Sequence, residues 1–550
     1  MATQKLRVIP LGGLGEIGKN MLVLEYGDDL LAIDAGLMFP KEEMLGVDLV
    51  IPDISYLHKR RKRLRGLIIT HGHEDHTGAL PYILPLLQAP IYSSPLTQGL
   101  ISVKLKEHGV REGVSLHTVQ AGDKISLGRF QVEFFQVCHS IPDSLGLIIR
   151  TPVGVVVHSG DFKLDYTPVD SKTTDFRRLA QVGVEGVLLL LSDSTYVEVP
   201  GYTPSETVVG ESLDRLMGEA PGRVIVTTFA SLISRVQQVI DAAAKHGRRV
   251  FILGRSMTDN VRMALELGYL TAPEGILARL DELQRLPPQG IVLLTTGSQG
   301  EPTSALVRIA NGDHRQVRIL PGDTVILSAT PIPGNESLIN RTVDSLFRQG
   351  AQVFYNRLAQ VHVHGHGSQE ELKLLLNMVR PRFFIPIHGE YRHLCLHAQL
   401  ARSMGVQENN AFVLEDGDTL ELDGEGGRVM GRVSLGDVYV DGLGDIGHEV
   451  LSDRRALSRD GMVVVTMVID GRNGRIVGRP QIISRGFVEE KEWEDLMEKS
   501  QDVVIGALGH GGKPSSEAGF IQAQVKDALS RFLYEQTRRR PMVLAVTLKV

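Results

Sequence analysis

Cysteine is almost absent from this chain. Cys138 and Cys395 are the only two among 550 residues. Two thiols cannot build a framework of cross-links, so stability must come from buried cores, and the composition suits a reducing compartment. Long apolar runs are missing too. Nothing approaches the roughly 18 uninterrupted apolar residues that a membrane span needs, and the richest run, residues 184–191, has the length of a buried strand. The opening MATQKLRVIPLGG lacks the apolar core of a secretory signal. The expectation is a cytoplasmic protein with no membrane partner. Nor is there an excess of positive charge. Lys and Arg total 59 against 65 Asp and Glu, a net charge of −6. That argues against a globally basic nucleic-acid binder, although a local basic groove is compatible with it. The chain has no internal repeat and no low-complexity segment.

What is present is an ordinary globular composition, 42% hydrophobic and 23% charged, over a length that implies two to four domains. Up to residue 205, short apolar runs alternate with Gly-rich turns: LRVIPLGG, NMLVLEYG, LLAIDAG, LRGLIIT, FQVEFFQV, LGLIIRT and VGVVVHSGD. These read as strands of two packed sheets. After Pro204 the rhythm changes. Ser205 stands as an N-cap before an amphipathic helix, and strands then alternate with helices over 206–349, the pattern of a parallel sheet with helical crossovers. Residues 350–440 return to strand–His–turn segments. A linker is expected over 441–455 and a small α+β domain over 456–550, where MVVVTMVI and MVLAVTLKV flank helices.

The sharpest chemical signal is the run His71-Gly-His73-Glu-Asp75-His76 at the exit of the strand LRGLIIT. Three imidazoles and a carboxylate on a turn held by a strand can converge on a metal ion. His139, Asp161 and His388 each follow an apolar strand as well. Taken alone, each could be a satisfied core histidine or a turn aspartate; together with the His cluster they suggest a centre holding two ions. A decoy lies nearby. Gly13-Leu-Gly15-Glu-Ile-Gly18 imitates a dinucleotide fingerprint, with Asp34 at a suitable spacing. That fingerprint requires a helix after the glycines, whereas KNMLVLEYG reads as a strand. The glycines are expected to form a turn beneath the site.

The series HxHxDH, a later His, a later Asp and a final His resembles the ligand set of the metallo-β-lactamase family. SDST with Asp193, VHVHGHGS with His366 and PIHGE with His388 resemble the three extra motifs of its β-CASP nucleic-acid-processing members, and the order of segments resembles the bacterial ribonuclease J family. The resemblance implies an αββα sandwich (1–205 and 350–440), an inserted parallel-sheet β-CASP domain (206–349) and an α+β C-terminal domain. It implies that His71, His73 and His139 hold one divalent metal, that Asp75, His76 and His388 hold another, that Asp161 bridges them, and that Asp34 supports the ligands from behind. Zinc is the first expectation, with manganese or magnesium as alternatives. Asp75, Asp193 and His366 are the implied catalytic groups. Substrate phosphates would meet Ser231, Leu232 and Ile233 at a helix start, and His362, Val363, His364, Gly365 and His366. The family commonly has serine where this chain has His364. Gly46, Asp48 and Asp441 would share a structural calcium or magnesium.

The activity implied is 5′-to-3′ exonuclease and endonuclease cleavage of single-stranded RNA in RNA maturation and decay. A homodimer or homotetramer and an RNA-degradation complex are the implied assemblies. Three alternatives differ in class: a DNA-directed relative, a hydrolase of small esters or lactams, and a non-enzymatic RNA-binding scaffold. The long insertion argues against a small substrate, and the complete ligand set argues against a relic site.

Overall fold

Alternating residues of a strand face opposite sides of its sheet, so an apolar run in which every residue is buried must lie between two packed layers. Leu189–Asp193 and Phe383–Ile387 are such runs. Leu189, Leu191, Phe383 and Ile385 face the core between two sheets, while Leu190 and Phe384 face a second core shared with flanking helices. Each such side chain stabilises the fold by about 1.5–3 kcal/mol. The computed structural model describes residues 4–41, 43–110, 113–301, 303–332, 335–442, 444–470, 476–509 and 518–550. The chain divides into two units, 1–39 with 50–437, and 40–49 with 438–550.

In the first unit a sheet of eight strands packs on a sheet of six. Helices Phe176–Glu185, Gln369–Val379 and Tyr391–Ser403 cover the outer face of the smaller sheet. Three strands of that sheet, Gly154–His158, Leu189–Asp193 and Phe383–Ile387, are parallel neighbours. Their C-terminal ends therefore deliver Asp161, Asp193 and His388 to one edge. In the larger sheet, Asp29–Ile33 and Leu64–Ile68 are also parallel and deliver Asp34 and His71. The site follows from this topology: residues far apart in sequence meet because parallel strands end together.

The inserted segment forms a wholly parallel six-stranded sheet. Its edge strand is Gln352–Phe354, so the sheet runs past the boundary expected at residue 349. A buried charge cluster ties the insertion to the sandwich. Arg235 Nη2 donates to Glu206 Oε2 at 2.5 Å, Arg235 Nη1 donates to the Val361 carbonyl at 2.9 Å, and Lys163 Nζ lies 3.7 Å from Glu206 Oε1. The helix Thr207–Glu219 does not use Ser205 as its N-cap. Glu206 occupies that position, and Ser205 Oγ accepts from the amide of Thr207, two residues after it, at 3.3 Å.

In the second unit, strands Gln481–Arg485, Met462–Ile469 and Met542–Lys549 form one sheet, which packs through Val463, Val465 and Met467 on Val525, Leu529 and Leu533 of the helix Ala518–Thr537. The helix His448–Asp460 overlaps the second half of the segment 441–455 expected as a linker. Among the described residues no helix is long and apolar enough to cross a membrane.

Candidate metal centre

The strand Leu64–Ile68 ends three residues before His71, and the chain then turns into the four-residue helix Glu74–Thr77 that carries Asp75 and His76. The turn is held from below by the decoy glycine loop. The Asn20 amide N–H donates to the Asp75 carbonyl at 3.1 Å, and Asn20 Nδ2 lies 3.2 Å from His76 Nε2. The strand Met21–Tyr26 follows that loop, so no dinucleotide-binding helix exists there. Gly36 is required for the same approach, since a Cβ there would lie 1.5 Å from the Asp75 carbonyl oxygen.

The expected ligands converge. His71 Nε2 and His139 Nε2 each lie 3.1 Å from His73 Nδ1. Asp161 lies between this trio and the other set. Its Oδ2 is 3.1 Å from His76 Nε2, 3.7 Å from His71 Nε2 and 4.0 Å from His139 Nε2, and its Oδ1 accepts from His388 Nδ1 at 2.9 Å. His388 Nε2 lies 3.3 Å from Asp75 Oδ2, is buried, and makes no hydrogen bond. Among the described residues three overlapping groups of donor atoms result, His71, His73 and His139 in one, Asp75, His76, Asp161 and His388 in another, and Asp161, Asp193, His366 and His388 in a third, the atoms of each within 4.8 Å of one another.

The far sides of the His71, His76 and His139 rings are held by protein, which frees one nitrogen of each for the centre. His76 Nδ1 donates to Asp34 Oδ2 at 2.8 Å. His139 Nδ1 donates to the Gly365 carbonyl at 2.7 Å. Thr70 Oγ1 lies 3.1 Å from His71 Nδ1 and donates to Asp34 Oδ2 at 2.9 Å. Asp34 and His388 both adopt left-handed backbone, at φ 61° and 51°. Such conformations cost about 1–3 kcal/mol and persist where the surroundings hold them.

Electrostatics split the centre in two. Burial drives His71 and His139 well below the usual imidazole range and His73 down to about 4, so this trio presents neutral rings with free lone pairs. Burial also opposes charge on His76 and His388, but Asp161 and its neighbouring carboxylates overcome it, raising His76 well above its ordinary value and His388 to about 10. The donor set therefore fits divalent cations: neutral imidazoles on one side, and carboxylates with displaceable imidazole protons on the other. Loading should release protons at pH 7–8, and apparent affinity should rise with pH towards 10 as His388 loses its competing proton. Titration calorimetry in buffers of different ionisation enthalpy measures the release; a loading enthalpy independent of buffer would contradict it.

Beside the ligands, His366 Nδ1 donates to Asp193 Oδ2 at 2.7 Å. Asp193 Oδ1 accepts from the Thr195 amide at 3.0 Å and the Thr195 hydroxyl at 2.7 Å. Against the buried Glu371 carboxylate, the amides of Leu164, Thr203 and Ser368 donate at 2.6, 2.7 and 2.7 Å. Thr70, Asn20 and Thr195 hydrogen-bond the candidate site residues, and Glu371 ties three backbone amides together; none of the four was foreseen from the sequence.

The substrate candidates divide. A small, open pocket lies beside His139 and is lined by Gln136, Cys138, Glu206 and Ser234 among others. Ser231 is half-buried and precedes the helix Ile233–Lys245, whose N-cap is Leu232; no side chain caps it. Leu232 and Ile233 are buried in the insertion core, and their amides bond to the Phe229 and Ser231 carbonyls. Ser234, not foreseen, faces the pocket instead. Val363 is buried, the Gly365 carbonyl orients His139, and His362 is pushed to about 3 by burial and by the nearby Arg235.

The residues foreseen for a structural cation meet a guanidinium. Arg454 Nη1 donates to the Gly46 carbonyl at 2.7 Å and Nη2 donates to Asp441 Oδ2 at 2.6 Å, while Asp48 Oδ2 accepts from the Gly442 amide at 2.7 Å. A guanidinium fills the place foreseen for calcium or magnesium, and it provides the positive charge those oxygens need. Calcium should leave the wild-type melting temperature unchanged, whereas Arg454→Ala should lower it by several degrees. Differential scanning calorimetry with calcium and with chelator checks this; a wild-type protein that calcium stabilises would refute it.

Family models match almost the whole chain: the metallo-β-lactamase superfamily over residues 14–216, the β-CASP domain of ribonuclease J over 221–346, the Zn-dependent metallo-hydrolase RNA specificity domain over 355–414 and the ribonuclease J C-terminal domain over 449–550. The chain is 45% identical to ribonuclease J of Thermus thermophilus, covering 99% of this chain and 95% of that protein. It is 42% identical to ribonuclease J 1 of Streptococcus pyogenes, covering 98% and 97%. It is also 42% identical to ribonuclease J2 of Bacillus subtilis, covering 100% and 99%. A solved structure of a protein of unknown function from Enterococcus faecalis shares the fold, with TM-score 0.56 and 16% identity over 76% of this chain and all of that one. With a parallel-strand edge that gathers the ligand series, an inserted parallel sheet beside it and full-length identities above 40%, this chain belongs to the ribonuclease J family.

Proposed function

We propose that this chain is a metal-dependent ribonuclease with two divalent ions, zinc the first expectation and manganese or magnesium the alternatives. It would degrade single-stranded RNA from 5′-monophosphate ends in the 5′-to-3′ direction, and would also cut internally. The observation that carries the reading is Asp161, placed between two ligand groups and 3.9 Å from His366. His71, His73 and His139 would hold one ion, and Asp75, His76 and His388 the other, with Asp161 shared. When bound, such a pair supplies a water acidic enough to ionise near neutrality and positive charge for the phosphoryl oxygens.

The chain's own groups do the rest. Asp75 orients the attacking water and takes up its proton, while Asp193 stays ionised beside His366. Water oxygen bonds to phosphorus, the bond from phosphorus to the 3′ oxygen breaks, and His366 gives that oxygen a proton, leaving a 5′-phosphate and a 3′-hydroxyl. Asp193, bonded to His366 Nδ1, stabilises the imidazolium before transfer. The insertion would supply one wall of the RNA-binding surface, with Ser231, Ser234 and His366 along it.

A cytoplasmic protein acting in RNA maturation and decay, with copies associating through the C-terminal unit as a dimer or tetramer and joining a degradation complex, completes the proposal. RNA labelled at either end, carrying a 5′-monophosphate or 5′-triphosphate, is the test, beside matched DNA and added metals. Stepwise release from monophosphorylated RNA supports the reading. A metal-loaded preparation that leaves this RNA intact refutes it, and equal cutting of DNA points to the DNA-directed relative.

A further inference from the structure

His364 occupies a position where the family resemblance implies a serine hydroxyl facing phosphate. Its ring does something else. It stacks on Tyr196, with centroids 3.6 Å apart and planes 12° from parallel. Tyr196 is in turn within 10° of parallel to His366, at 5.7 Å. His364 Nδ1 is buried with no hydrogen-bond partner, which is the signature of a ring placed for its face and not for that nitrogen. Three rings share one orientation, and two of them, His364 and His366, are separated in sequence by Gly365 alone.

His366 needs such a support. Its bond from Nδ1 to Asp193 fixes one point of the ring, the His139 and His388 rings meet it edge-on at 5.1 and 5.4 Å, and the parallel Tyr196 ring backs its face. Tyr196 follows Asp193 by three residues, and Thr195 between them clamps the Asp193 carboxylate. One segment therefore pins the nitrogen and sets the ring plane. His364 presses on the Tyr196 face and keeps the phenol in place.

We propose that His364 is a positioning residue that acts through Tyr196 to hold the plane of the His366 ring, and that it is not a phosphate contact. The proposal rests on the function proposed above, in which His366 delivers the leaving-group proton. A ring tilted out of line costs proton transfer and leaves RNA binding alone.

Steady-state cleavage of 5′-monophosphorylated RNA by metal-saturated enzyme tests it. H364A and Y196L should each lower kcat about tenfold, the scale of one stacked pair, with KM within about twofold of wild type. H364F keeps an aromatic face without ring nitrogens and should recover most of kcat, whereas H364S should resemble H364A. The double variant H364A/Y196L should be no worse than Y196L. A raised KM with unchanged kcat, activity kept by H364S and lost by H364F, or additive losses in the double variant would each overturn the proposal. Ring 15N signals of His366 in metal-loaded protein give a readout without RNA: sharp in wild type and H364F, broadened or shifted in H364A. Unchanged signals in H364A overturn the proposal by themselves. Wild-type protein that fails on RNA overturns the function instead.

Discussion

Asp161→Asn should reduce turnover by at least about 10³-fold, equivalent to about 4 kcal/mol of transition-state stabilisation, and should reduce the metal held per chain. The substitution keeps the shape of the side chain and removes its charge. Its effect is expected to exceed that of any other single ligand change because both ligand groups approach this carboxylate: His76 and His388 are within 3.1 Å, and His71 and His139 within 4.0 Å. In the metal-free protein the same charge holds His76 and His388 protonated inside the fold, so its loss leaves two buried imidazoles without their main counter-charge. Metal analysis, cleavage rates and melting curves on one preparation separate these effects. Near-normal turnover with a full complement of metal would remove Asp161 from the role of shared ligand.

The site was legible where chemistry and chain position coincide. HGHEDH announces itself because three imidazoles at a strand exit have few structural uses. Asp161 and His388 could be placed because each ends an apolar strand, and parallel strands end together. The glycine loop was correctly separated from a dinucleotide fingerprint by the strand that follows it. What escaped were residues of ordinary type whose partners are remote in sequence. Glu371 is one of many glutamates until the fold brings the amides of Leu164 and Thr203 to it. Thr70, Asn20 and Thr195 act through single hydrogen bonds that no spacing encodes. Arg454 shows the same limit from the other side. Oxygen atoms on glycine-bearing turns suggest a cation, and the fold sets the Arg454 guanidinium, from the helix His448–Asp460, against the Gly46 carbonyl and Asp441. Likewise a helix start at Ser231–Ile233 suggested a phosphate site, yet the apolar side chains there belong to the insertion core.

His366→Ala should lower kcat by about 10²–10⁴-fold, the usual worth of a positioned general acid, while leaving metal content and RNA affinity near those of the wild type. The reason is geometric. His366 lies next to the ligand groups, 3.9 Å from Asp161 Oδ2, yet its Nδ1 is committed to Asp193, so it is placed to handle a proton. Burial disfavours the imidazolium, but Asp193 outweighs it and holds His366 above its ordinary value, so the ring keeps its proton to higher pH than a free imidazole does. The sign of the pH dependence follows. Activity that needs protonated His366 is complete below its raised pKa and falls as pH rises through it, giving the alkaline limb of the kcat profile. Asp193→Asn removes the charge that raises the pKa, so the alkaline limb should move to lower pH and kcat at pH 8 should fall further than kcat at pH 6. Thr195→Val frees one oxygen of Asp193 and should produce a smaller shift in the same direction. Profiles of kcat from pH 5 to 10 for the four proteins decide it. An alkaline limb that survives unchanged in both His366→Ala and Asp193→Asn would assign the proton to another group, and would leave the His366–Asp193 pair a structural contact beside the metals.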